Sequence, residues 1–300
     1  KSDNTSAVPV SIVRWTLPAA VTTLEWSFTR EVKTRGVPFR AEFLRLQYSK
    51  PAEKVNLLQE SLTRLDQGKK TNVARTATKE PNGDVWLPDV PMVDQGEKGY
   101  CVVAATERVM RYYGKEVDQH ELAQMANSSA AEGTSSNAMV QALKSLTQKM
   151  MIKVRTLEQP DVKSITDMID DYNRQAKKNK KPEVQVGMMI SLDDVYGQMD
   201  PDTLKEARVK SRSDFGRWQT AISKHIQQGV PVMWTVMVGL YPEEKLGQGR
   251  GGHMRLIIGY NEKDQKIIYS DTWGLGHERK ELPMDQAFAM TTGLYTIEPL

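Results

Sequence analysis

Apolar and polar positions alternate near the start of the chain. In "TTLEWSFT", Leu24, Trp26 and Phe28 fall on one face, the period-two mark of a half-buried strand. "GVPFRAEFLRLQY" supplies another. The period then changes: "PAEKVNLLQESLTRL" carries Val55, Leu58, Leu62 and Leu65 at helical spacing, with Pro51 suited to a first helical turn. Polar text rich in Lys, Thr, Asn and Gly runs from Asp66 to Asp84 and reads as a linker. These patterns predict a small α+β accessory domain over 1–80 and a second domain over 85–300.

The second domain opens with "VWLPDVPMV" and a helix that starts near Cys101 and stops at Gly114. Asp118 and Glu121 form a capping-box pattern for a helix running through Met125, and "NAMVQALKSL" predicts a further one. "VKSITDMIDDYNRQAKK" places Ile165, Met168, Ile169 and Tyr172 on one face. "DFGRWQTAISKHIQQG" does the same with Phe215, Trp218, Ile222 and Ile226, ending at Gly229. Strand patterns follow in "VPVMWTVMV", "HMRLIIGYN", "QKIIYSDTW" and "GLYTIE", joined by Gly, Asn and Lys-rich turns. Helices first and an antiparallel sheet afterwards is the order of an α+β fold.

Composition narrows the function by exclusion. A net charge of +3 is too small to point to nucleic acid or a membrane surface as the main partner. The basic run "KKNKKP" at 177–182 reads as a solvated helix end. No apolar run reaches the roughly 18 residues that span a bilayer, so no transmembrane segment is expected in this chain. The chain begins at Lys1, so a secretory signal is not judged; the compartment stays open, secretion after signal removal included. One Cys and four scattered His lack metal-ligand spacing. No metal and no cofactor is called for, although a calcium site among Asp and Glu is left open.

The single cysteine, Cys101, cannot form an internal disulfide. As a lone thiol it reads as a small buried hydrophobe; its surroundings suggest chemistry. A cysteine attacks as the thiolate, which unpaired N–H groups and the positive end of a helix dipole stabilise. Cys101 lies where a helix begins. His253 is the candidate base and acid, Asp271 the residue that orients its imidazole, and Gln95 with the Cys101 N–H the oxyanion donors. Pairing "HMRLIIGYN" with "QKIIYSDTW" around "NEKD" brings His253 and Asp271 to one edge of the sheet, where Trp273 can cover their contact. His120 reads as surface, His225 as an edge-of-core residue, and His277 as the one rival to His253. "GQGRGG" at 247–252 has a dinucleotide-type glycine spacing, but a strand follows it rather than a helix, which excludes nucleotide binding. A flexible loop admitting substrate backbone at Gly251 and Gly252 fits better. Gly133 and Thr134 in "EGTSS" are further cleft candidates, against a plain interhelical turn.

Gln95, the helix-opening Cys101, the distant His253 and the "DTWG" segment together resemble the papain-like cysteine peptidases. The separation of 152 residues between Cys101 and His253 is close to the roughly 130–150 of that family. Asp271 in place of Asn, and the lack of a Gly-Ser-Cys-Trp signature around the nucleophile, are similar to the branch that includes bacteriocin leader-processing peptidases (cysteine peptidase family 39-like). The resemblance covers about 90–300. It implies a papain-like fold and a thiol peptidase that cleaves a peptide or protein substrate through an acyl-enzyme on Cys101. Two alternatives keep the site and change its use: an acyltransferase or transglutaminase-like enzyme, and a catalytically silent peptide-binding module. The accessory domain is open to three roles: pro-segment, substrate clamp or targeting module.

Overall fold

The computed structural model describes residues 10–17, 20–29, 40–49, 76–96, 100–115, 117, 122, 144, 151–187 and 191–300. Its first unit is a three-stranded antiparallel sheet, β1 (Val10–Leu17), β2 (Ala20–Thr29) and β3 (Arg40–Ser49), in sequential order. The register sets Val13 against Leu24 and Leu24 against Leu46, so the alternating apolar residues share one face. Leu44 and Leu46 stand exposed on it. The helix expected over 51–65 lies outside the described residues, as do most of the helices expected near 118–125 and 137–146.

The larger sheet is antiparallel throughout, in the order β10-β9-β8-β7-β11-β6. Its strands are β6 (Ile152–Glu158), β7 (Val232–Val238), β8 (Gly251–Asn261), β9 (Lys266–Ser270), β10 (Lys280–Pro283) and β11 (Thr291–Pro299). The short β4 (Thr78–Lys79) pairs with β5 (Val85–Trp86), and β5 pairs with the far end of β8 where β7 stops. The last part of the polar stretch expected as a linker is therefore built into the sheet. Asp84 holds it there: its buried carboxylate accepts from Asn261 Nδ2 at 2.7 Å and Arg279 Nη2 at 2.5 Å.

Six helices are described: α1 (Cys101–Tyr112), α2 (Val162–Asn179), α3 (Leu192–Gln198), α4 (Pro201–Lys210), α5 (Arg212–Gln227) and α6 (Met284–Met290). α2 starts at the Asp161 cap and packs Ile169 and Tyr172 inward, with Ile165 and Met168 partly buried beside them. α5 does the same with Trp218, Ile222 and Ile226. α1 and α5 both pack on β8, the central strand, and one buried core runs through helices and sheet.

The architecture is α+β, and it corrects the strict order of helices before sheet. β6 precedes α2 in sequence yet closes the sheet edge beside β11. "IKVRTL" alternates like any half-buried strand, which is why it fits there. α4, which was not expected from the sequence, opens on an Asp200 cap with Pro201 at the first helical position. Gly259 is the tightest strand contact: a Cβ there would lie 2.4 Å from the Trp86 Cβ and 2.7 Å from the Val85 carbonyl. Gly259→Ala is expected to destabilise by about 1–3 kcal/mol, read as a lower urea midpoint with little change in slope.

Candidate active site

Cys101 is the first residue of α1, partly buried. Tyr100 caps the helix by backbone alone, with no side-chain cap bond, and no acidic residue stands in the first turn. α2, α3 and α4 instead close their first turns with the side chains of Asp161, Ser191 and Asp200. The first-turn N–H groups beside the Cys101 thiol thus keep a positive potential that suits an anion.

The hairpin of β8 and β9 brings the partners together. Leu256 pairs with Ser270 and Asn261 with Lys266, so the residues beyond each end, His253 and Asp271, meet at one edge. His253 Nε2 lies 2.5 Å from Asp271 Oδ1. Since a carboxylate only accepts, Nε2 carries the proton, and Nδ1 is the ring nitrogen left for the thiol. The Cys101 thiol is near enough to act on this imidazole, and the buried Nδ1 makes no hydrogen bond among the described residues. Asp271 is fully buried. It also accepts from Arg255 Nε at 2.8 Å and from the Thr272 N–H at 2.8 Å.

Gln95 joins the same corner from the other strand of backbone. Its N–H donates to the Thr272 carbonyl at 2.8 Å, and the Thr272 hydroxyl donates to its Oε1 at 2.5 Å. With Oε1 on the Thr272 hydroxyl, the NH2 end of the amide points away from Thr272. Trp273 stacks on the His253 ring, centroids 4.4 Å apart and planes at 11°. His277 packs edge-on against Trp273 at 5.6 Å, and its carbonyl takes the Asp271 N–H. The rival histidine thus supports the turn, while His253 faces the thiol. His225 bonds within α5 to the Ala221 carbonyl at 2.7 Å, and His120 lies outside the described residues.

The expected glycine loop ends at Arg250. Gly251 and Gly252 are strand residues opening β8, paired with Val238 and Met237. A Cβ on Gly252, next to His253, would meet nothing within 4 Å. Gly247 carries the tighter constraint, since a Cβ there would lie 2.5 Å from the Trp273 ring. Gly133 and Thr134 lie outside the described residues.

Two buried arginines were not expected from the sequence. Arg108 on α1, fully buried, donates Nε to the Pro91 carbonyl and Nη1 to the Asp271 carbonyl, both at 2.7 Å, and Nη2 to Ser270 Oγ. It staples the helix carrying Cys101 to the turn carrying Asp271, and burial pushes its pKa down to about 10. Arg255, two residues along β8 from His253, bridges Asp271 and Glu243, with Nη1 2.8 Å from Glu243 Oε2. A charged residue two positions from the histidine shares its face of the strand, and that was the available signal. Among the described residues no group of three or more His, Cys, Asp or Glu could hold a metal ion. A cleft of about 1030 Å³ lies between α2, α4, α5 and the β6–β11 edge, and it includes none of Cys101, His253, Asp271 or Gln95. Its volume carries no chemistry of this site.

With this geometry in hand, comparison with known proteins places the chain. The model of the Peptidase_C39 like family matches residues 87–293.

The chain belongs to that family. It is a cysteine peptidase. Among solved structures it is similar to xylellain, a cysteine protease from Xylella fastidiosa. That match has 13% identity and a TM-score of 0.36, covering 78% of this chain and 95% of that one. No curated protein matches. The family assignment extends over every residue of the corner described above and leaves residues 1–86 outside it.

Burial pulls the His253 pKa down, but the Asp271 carboxylate and the Cys101 thiol outweigh it, and the imidazole stays protonated above its ordinary 6.5. Burial pushes Asp271 up, and its bond from His253 and the Arg255 charge outweigh that, holding it below 3.8. A raised base stabilises the fold fully below its unfolded pKa and loses that contribution as pH rises through the folded value. A depressed acid does the reverse as pH falls. The pair therefore contributes most between pH 3.8 and 6.5. NMR titration is expected to show His253 with a midpoint above 6.5; a midpoint below it contradicts this balance. Gly247→Ala, by pushing Trp273 off the imidazole, is expected to move the His253 resonance and cost about 1–3 kcal/mol.

Proposed function

We propose that this peptidase hydrolyses peptide bonds through an acyl-enzyme on Cys101, with His253 and Asp271 completing a Cys-His-Asp triad. The observation that carries the reading is the 2.5 Å contact of His253 Nε2 with Asp271, which leaves Nδ1 for the thiol at a helix start that Tyr100 caps through its backbone alone. His253 takes the thiol proton, and the thiolate attacks the scissile carbonyl carbon. The oxyanion is met by the Cys101 N–H and the Gln95 amide. The imidazolium then protonates the departing amine, leaving a thioester. Water, deprotonated by His253, attacks the thioester; the acid product leaves and the proton returns to the thiolate. Trp273, stacked on the imidazole, shields the His253–Asp271 bond from water. Gly251, Gly252, Gly133 and Thr134 are proposed to line the substrate path, and Trp273 to border it.

No membrane-crossing helix occurs among the described residues, and a peptide or protein is the substrate class that a peptidase family supports. The bacteriocin-leader-processing branch is the subgroup we propose, on the strength of Asp271 and the missing Gly-Ser-Cys-Trp signature. Residues 1–80 are proposed as a separate accessory unit, since the family match begins after them.

A peptidyl epoxide tests the triad. Cys101 in the wild type is expected to label at least about 100-fold faster than a free cysteine, and His253→Ala to lose about 100-fold or more of that rate. Labelling at the free-thiol rate, with His253→Ala unchanged, sinks the proposal. Cleavage run with an added amine separates hydrolysis from acyl transfer: the free acid is expected, and an amide as main product would favour the transferase.

A further inference from the structure

We propose that Arg255 is a positioning residue of this site: by sharing the Asp271 carboxylate, it tempers the charge that the third member of the triad presents to His253 and keeps the imidazolium acidic enough to give its proton to the departing amine. The inference rests on the thiol-peptidase reading above and adds a residue to it.

The geometry is that of a built network. Arg255 is fully buried in β8. Its Nε donates to Asp271 Oδ2, the oxygen His253 does not use, at 2.8 Å. On its far side Nη1 meets Glu243 Oε2 at 2.8 Å, and the Tyr269 hydroxyl donates to that same oxygen at 2.5 Å. The guanidinium lies over the Tyr269 ring, 4.7 Å from its centroid, so it is held in place from below. A buried ion pair is seldom kept for stability alone, because desolvation offsets the attraction. Its position fits another role. An isolated buried carboxylate would bind the imidazolium proton too firmly for transfer to a leaving group, and one of the two Asp271 oxygens is already engaged by Arg255.

Other charges face this cluster from each neighbouring element. α1 contributes Cys101 and Arg108, the latter on the Asp271 carbonyl. The turn after β9 brings His277 and Glu278, both acting on one another and on this corner. From β10, Lys280 acts on Arg255 and Asp271 while bonding the Glu244 carbonyl, and Lys245 acts on His277. Arg255 is the one cation of these whose side chain bonds the Asp271 carboxylate directly.

The test is the pH profile of kcat/KM with a peptide substrate, beside epoxide labelling. Arg255→Met with Glu243→Gln removes the pair together, which leaves no uncompensated Glu243, and Arg255→Lys keeps the buried charge but only one reach. The double variant is expected to move the alkaline limb up by about one pH unit and to lower kcat about tenfold with KM within about twofold. Arg255→Lys is expected to fall between it and the wild type. Limbs that coincide with the wild type in both variants overturn the proposal, whether kcat is kept or falls with the folded fraction. If His253→Ala labels like the wild type, the failure lies in the thiol-peptidase reading and not in Arg255.

Discussion

A carboxylate with no water around it constrains this molecule more than any other group. Asp271 is fully buried, and an unpaired charge there would cost several kcal/mol. Its two oxygens are satisfied by three donors: the His253 ring, the Arg255 guanidinium and the Thr272 N–H. The same residue's carbonyl takes Arg108 from α1, and its N–H goes to the His277 carbonyl. Each bond fixes one element relative to the others. β8 is held through His253 and Arg255, α1 through Arg108, and the Gln95 segment through Thr272.

The placement of Cys101 follows from that framework. Arg108 is two turns along the helix that Cys101 opens, so anchoring Arg108 to the β9 turn also orients the thiol toward β8. Thiol and imidazole come from elements far apart in sequence, and the link between them is a rigid staple rather than a loop. Trp273 then completes the arrangement from the solvent side, backed by a glycine because no side chain fits against its ring. A preorganised site of this kind needs little rearrangement when charge develops.

Much of this was legible from pattern alone. The hairpin of β8 and β9 followed from two apolar runs around "NEKD", and with it the meeting of His253 and Asp271. Cys101 at a helix start followed from the apolar run after it. Arg255 and Arg108 were not read as part of the site, because an isolated arginine in an apolar segment ordinarily marks the solvated face. Here both are buried because acceptors distant in sequence surround them, at Pro91, Glu243, Ser270 and Asp271. β6 was missed for a similar reason. Six of its seven positions stay exposed or half-exposed at the sheet edge, so no continuous apolar run marks it. The glycines at 251 and 252 read as loop because glycine is a turn residue, yet ladder pairing with β7 draws them into β8.

The central claim is that Cys101 carries the acyl group. Rapid-quench mass spectrometry with a peptide ester tests it most directly. The account predicts a burst of protein bearing the acyl mass, mapped to the peptide that contains Cys101, decaying as the acid product appears. Product formation with no acyl adduct on Cys101, or with the adduct on another residue, would contradict it.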